Sequence, residues 1–132
     1  MGLLSISPGL AERAMADSGP ALRFKTTFIR RLTQLGFSEP EIYSLVVAKR
    51  TLARRQAADE PLTIEETDKA LRLERIATLA DRVFGDRGTA QRWLRKPKSS
   101  LSGETPIAYL VSESGARVVE EMLYRIDHGM AA

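Results

Sequence analysis

Apolar residues at Phe24, Phe28, Ile29, Leu32 and Leu35 recur at helical spacing and stop at Gly36, which predicts a first helix closed by a glycine cap. Ser38 followed three residues on by Glu41 has the form of a capping box; Pro40 fits the first turn and Phe37 is placed to staple against Ile42. A second helix therefore starts at Glu39. Its face of Ile42, Leu45 and Val46 runs into Val47 and Ala48, after which Lys49 to Gln56 reads as another short, polar helix with Leu52 alone turned inward. Ala57 to Pro61 break the pattern.

Thr63 with Glu66 makes a second capping box, ahead of a long helix ending near Gly85 whose predicted inward face is Ile64, Leu71, Ile76, Leu79, Ala80, Val83 and Phe84. A further helix from about Thr89 carries Ala90, Trp93 and Leu94 and ends before Pro97; a loop rich in Ser and Gly runs from there to Thr105. Thr105 then caps a short helix with Pro106 at its first position. Ser112 caps a last helix with Val119, Met122, Leu123 and Ile126 at spacings of three and four, and Gly129 closes it. No useful length alternates with period two and no internal repeat is visible, so the predicted fold class is all-α. Residues 1–21 show little sustained periodicity and read as a flexible arm.

Composition narrows the chemistry. The chain has 132 residues, 43% of them hydrophobic, enough for one compact domain or two small subdomains. With no cysteine and a single histidine, His128, it has no thiol chemistry, no disulfide, and too few ligands for a usual zinc site or a histidine triad. No cofactor or metal is expected. The acidic pairs Glu65–Glu66 and Glu120–Glu121 point about 100° apart on a helix and read as solvated surface rather than catalytic dyads. No apolar run approaches the roughly 20 residues that cross a bilayer. Met1 to Ala11 lacks the make-up of a leader, so a cytoplasmic protein without membrane contact is expected.

The net charge of +3 is modest and its distribution is the useful quantity: residues 25–60 hold seven Lys or Arg against four acids, while 61–88 sum to −1 and 89–132 to +1. By these windows the positive charge sits in one place. A helix-turn-helix needs a supporting helix, a tight turn and a second helix offering cations to the major groove, and Glu39 to Gln56 matches that plan. On its second helix Lys49, Arg50 and Thr51 stand at the start, where base edges are met, and Arg54 and Arg55 one turn on, where they suit phosphates. The alternative for the same cations is a solvated face. Val46 stands where the turn often has glycine, and Ala48 where a capping Ser or Pro is usual.

The ordered set Trp93-Leu94-Arg95-Lys96-Pro97-Lys98, then Leu101, Gly103, Thr105-Pro106, Leu110, Gly115, Val118-Val119 and a final Arg125-Ile126-Asp127-His128-Gly129, resembles the toxin-binding domain of the Xre/MbcA/ParS antitoxins. The resemblance reaches back through the long helix to Arg50-Thr51-Leu52 and Arg54-Arg55, covering about 25–130. It implies an Xre-like helix-turn-helix bundle over 22–85, joined by the long helix to a toxin-binding module over 86–132. It further implies a RES-domain toxin that consumes NAD as partner, and operator DNA as a second one. Toxin contact is then expected from Arg117, Glu121, Arg125, His128, Gly129 and Met130. A homodimer is expected because helix-turn-helix proteins usually read paired half-sites. The competing reading is a stand-alone repressor whose C-terminal half only dimerises.

Trp93 and Leu94 are expected in the core, and Gly115, early in the last helix, is expected to mark a close crossing. His128 near a helix end is better read as a dipole partner than as a reactive group.

Overall fold

Local capping chemistry sets where the helices begin. The backbone N–H of Glu41 donates to the Ser38 hydroxyl while the N–H of Ser38 donates to the Glu41 carboxylate, at 3.3 and 2.9 Å. Thr63 and Glu66 repeat the exchange at 2.9 and 3.1 Å. Ser112 accepts from the Gly115 N–H. In this computed structural model, which describes residues 22–129, these caps open α2 (Glu39–Leu45), α4 (Ile64–Phe84) and α6 (Glu113–Asp127). The remaining helices are α1 (Ile29–Gln34), α3 (Lys49–Ala57) and α5 (Arg87–Leu94). No strand occurs among the described residues, and the fold is all-α. The predicted arm over 1–21 and Met130 lie outside them.

Two predicted helices are wound differently from expectation. The first opens as a 3-10 turn, Thr26–Phe28, before α1, and the short helix after Pro106 is 3-10 throughout, Ile107–Val111. The last predicted boundary to move is that of α5, which starts at Arg87 because Asp86 caps it: its carboxylate accepts from the Thr89 N–H at 2.7 Å and from the Thr89 hydroxyl at 2.8 Å. These bonds hold the Asp86 carboxyl below the usual carboxylate range. Glycine ends behave as read, with Gly36, Gly85 and Gly129 all at positive φ.

The chain forms two compact units, Met1–Ala70 and Leu71–Ala132, whose boundary falls inside α4. In the first, Phe24, Phe28, Leu32, Leu35, Phe37, Ile42, Val46, Val47, Leu52 and Leu62 are buried, and Phe24 meets Phe28 edge-on at 5.0 Å. The incoming chain is clamped by its backbone: Leu62 N–H donates to Phe24 O at 2.9 Å, and Phe24 N–H donates to the buried Thr67 hydroxyl at 3.0 Å. In the second unit the core is Leu73, Ile76, Ala77, Leu79, Ala80, Ala90, Leu94, Leu101, Leu110, Ala116, Val119, Met122 and Leu123.

The inward face of α4 departs from the one predicted. Ile64, in the first turn, is 47% exposed, and Leu71, Val83 and Phe84 are half-buried. The buried stripe keeps the predicted Ile76, Leu79 and Ala80 and adds Thr67, Ala70, Leu73, Glu74 and Ala77, advancing largely by threes and fours along one helix face. Its members include small and polar side chains that a count of large apolar residues passes over. Trp93 is likewise half-buried rather than core: its ring leans on Phe84 at 5.7 Å, and the Lys98 ammonium lies over it at 4.9 Å.

Candidate functional site

The first candidate site is the pair α2 and α3. Only Val46, Val47 and Ala48 separate the helices, and both valines are buried, so the turn is anchored by side-chain packing instead of a glycine. Ala48 has the extended backbone of an N-cap but no side-chain bond, leaving the first N–H groups of α3 unclaimed by a capping side chain. Leu52 is the one buried residue of α3; Lys49, Arg50 and Arg54 are exposed and Thr51 half-buried. Arg54 has a loose ion pair with Glu60 at 4.0 Å, both side chains at least half exposed, which leaves its guanidinium available.

Arg55 is placed differently from its neighbour. Its side chain and that of Glu66 are each 14% exposed; Nη2 donates to Glu66 Oε2 at 3.2 Å, and Nε stands 3.1 Å from Oε1 without making a hydrogen bond. Glu66 therefore caps α4 and holds α3 with the same carboxylate. The sequence groups Arg55 with the phosphate-facing cations because its partner Glu66 lies eleven residues on, in the next helix, beyond any local contact.

The second candidate site lies in the C-terminal unit. Arg117, Glu121 and Arg125 follow one another at intervals of four along α6 and are all exposed, forming a single stripe that reaches the exposed His128 and Gly129. The His128 Nδ1 lies 2.7 Å from the Tyr124 carbonyl; a carbonyl only accepts, so Nδ1 carries the proton and the ring caps the end of α6. Beside the other end of α6 is an apolar groove of about 480 Å³, lined by Ala108, Tyr109, Val111, Gly115 and Val118 with Glu104, Ser112 and Ser114. Val111 and Val118 stand 65% and 41% exposed there. The groove was not foreseen, since Val118 had been counted only as part of a motif and Val111 not at all.

Charged contacts fix α6 against the second half of α4. Arg75 Nη2 donates to Glu113 at 2.8 Å and Arg72 Nε at 3.4 Å; Arg72 also donates to the Leu110 carbonyl at 3.3 Å. Burial alone would raise the Glu113 carboxyl, but the hydrogen bonds and charges of Arg75 and Arg72 outweigh it and hold it below the usual range. A carboxyl depressed in the folded state adds stability above its unfolded value, about 4.3, and loses it as pH falls through the folded one. Glu113→Gln should therefore cost under about 1 kcal/mol at pH 7, since the carboxylate is partly solvated, and the gap from the parent should begin to narrow as pH falls past about 4.3 and go on narrowing below it. Urea midpoints measured from pH 7 to 3 test this; a gap independent of pH would refute it.

Among the described residues no helix is long and apolar enough to cross a membrane. Residues 79–129 match the family description "Antitoxin Xre/MbcA/ParS C-terminal toxin-binding domain". The chain is similar to an Antitoxin Xre of Pseudomonas putida, 41% identical over 106 residues, covering 80% of this chain and 67% of the relative. It is also similar to proteins named Antitoxin Xre from Yersinia enterocolitica, 33% identical over 85 residues, and Photorhabdus laumondii, 32% identical over 84. Those matches cover 64% and 63% of this chain and 57% of each relative's length. On these matches, together with the motif order along α5 and α6, the chain belongs to the Xre/MbcA/ParS antitoxin family.

Proposed function

We propose that the protein neutralises a cognate RES-domain, NAD-consuming toxin in the cytoplasm through its C-terminal unit, and represses its own operon through α2 and α3. The observation that carries the first half is the match of a toxin-binding domain to residues 79–129, the segment that presents the exposed stripe of α6. Arg117, Glu121 and Arg125 offer alternating charge along one face, and His128 and Gly129 extend it beyond the helix; Met130, next in sequence, is proposed as a further contact. An arginine such as Arg125 would pair with carboxylates at the mouth of the toxin's site. The protein is not an enzyme; its action on the toxin is occupancy of a surface. The groove at Val111 and Val118 gives the same unit an apolar area to bury against its partner.

DNA binding is proposed for Lys49, Arg50, Thr51 and Arg54, with a homodimer presenting two such helices to paired half-sites. Arg55 serves this site by setting the position of α3 rather than by touching phosphate.

Co-expression with the toxin encoded beside it, with growth and co-purification as readouts, tests the reading. Rescue of growth with a stable complex is the expected result. Ending the chain after Leu123 should abolish rescue while circular dichroism still reports a helical protein. Full rescue by the shortened chain would remove the end of α6 from the interface. Absence of both toxicity and complex would leave the stand-alone repressor.

A further inference from the structure

The C-terminal unit has its own concentration of positive charge. Between 82 and 100 stand Arg82, Arg87, Arg92, Arg95, Lys96 and Lys98 against the single acid Asp86, and no acid occurs from 87 to 103. Over 101–129 the balance reverses, with two arginines against five acids. The segment is one continuous feature: the last turn of α4, all of α5, and the loop after it. We infer that this basic segment is a second binding surface for the phosphate backbone of duplex DNA, separate from α3.

Arg82, Arg87, Arg92 and Lys96 are exposed, and Arg95 and Lys98 half-buried. Several are held in place: Arg87 by Asp81 at 2.9 Å, Arg92 by the Thr89 hydroxyl at 3.2 Å, and Arg95 by the Gln91 side chain and carbonyl. Lys98 lies over Trp93, and its ammonium is pushed below the usual lysine range, first by burial and then by the charge of Lys96. Two ammonium groups that repel each other form a place where a phosphate oxygen relieves the repulsion. Hydroxyls at Ser99, Ser100 and Ser102 follow directly on these cations. Arg, Lys and Ser are side chains that position a protein on a phosphate backbone, and the stretch 92–100 that gathers them holds no acid.

The choice of DNA over the toxin rests on the proposed function. There the toxin contact is assigned to the stripe of α6, within the acid-rich 101–129, which leaves the basic 82–100 for a separate partner of opposite charge. Duplex DNA instead presents about one negative charge per 1.7 Å of axis, a continuous partner for an extended basic segment.

The test uses the full chain, its own upstream duplex and an unrelated duplex, with affinity measured by fluorescence anisotropy from 50 to 200 mM salt. Each phosphate contact adds about 0.9 to the slope of log affinity against log salt. Arg92→Gln, Lys96→Gln and Lys98→Gln together should make that slope shallower by about 2 to 3 on both duplexes. The pair Arg92→Gln and Lys96→Gln, which leaves Lys98 on Trp93, should reduce it by about 2. An unchanged slope in a folded pair variant overturns the proposal, whatever α3 does. Weakened toxin co-purification with an unchanged slope overturns it too and gives the segment to the toxin. If Lys49→Gln, Arg50→Gln and Arg54→Gln together leave DNA binding intact while the pair variant weakens it, α3 loses its role and the basic segment keeps its own.

Discussion

Gly115→Ala is expected to destabilise the protein, although the same change in an ordinary helix stabilises by about 1 kcal/mol. A Cβ on Gly115 would stand 2.1 Å from the Tyr109 carbonyl oxygen, 3.1 Å from its carbon, and 3.0 Å from the Ser112 hydroxyl that caps α6. The closest obstructing atom, the Tyr109 carbonyl oxygen, belongs to backbone, so relief requires the whole 3-10 turn Ile107–Val111 to move away from α6. Overpacking of this kind costs about 1–3 kcal/mol and occasionally more. The 2.1 Å approach to a backbone oxygen puts the cost at the upper end, about 3 kcal/mol, and the gain in helix propensity of about 1 kcal/mol leaves a net loss of about 2 kcal/mol. The melting temperature should fall by roughly 6–10 °C. The displaced turn forms one wall of the apolar groove, so toxin binding should weaken while DNA binding by α3 is kept. A melting temperature equal to or above the parent's would show that the turn gives way freely and that the close approach is not a constraint.

That glycine was legible in the sequence as an oddity, since nothing but a close crossing explains glycine in the first turn of an otherwise apolar-striped helix. Helix starts were legible for a related reason. Ser38 with Glu41, Thr63 with Glu66, and Ser112 act within four residues, so their chemistry is complete in the local sequence. Asp86 was overlooked because the pattern starts the next helix at about Thr89, two residues past its first residue Arg87, so the carboxylate did not stand at the cap position. The clamp of Phe24 by Leu62 and Thr67 was beyond local reasoning altogether, being made across about forty residues.

Charge was the least legible property, for two distinct reasons. The basic segment 82–100 is plain in the sequence, yet dividing the chain at 88 cuts it in half and averages the second half against the acids of α6. A window running from the last turn of α4 to the loop after α5 finds it. The difference between Arg54 and Arg55 could not have been found that way, because it depends on which one the fold brings to Glu66.

That difference has a measurable outcome. Arg54→Ala should leave stability within about 0.5 kcal/mol, since its pair with Glu60 is exposed and stretched to 4.0 Å. Its effect should be on DNA, a slope shallower by about 0.9. Arg55→Ala removes the cation from a carboxylate that is 14% exposed, and should cost about 2–3 kcal/mol. Glu66→Ala breaks the same pair and the capping box at Thr63 as well, adding about 1 kcal/mol. The order of loss should therefore be Glu66→Ala, then Arg55→Ala, with Arg54→Ala far behind. The double variant should fall little below Glu66→Ala alone, because the two single changes delete one interaction. Any loss of DNA affinity in Arg55→Ala should follow its unfolding curve and disappear on cooling, with the salt slope restored. A stable Arg55→Ala protein whose slope drops by about 0.9 would instead return Arg55 to the phosphates. The pair with Glu66 would then have no part in placing α3.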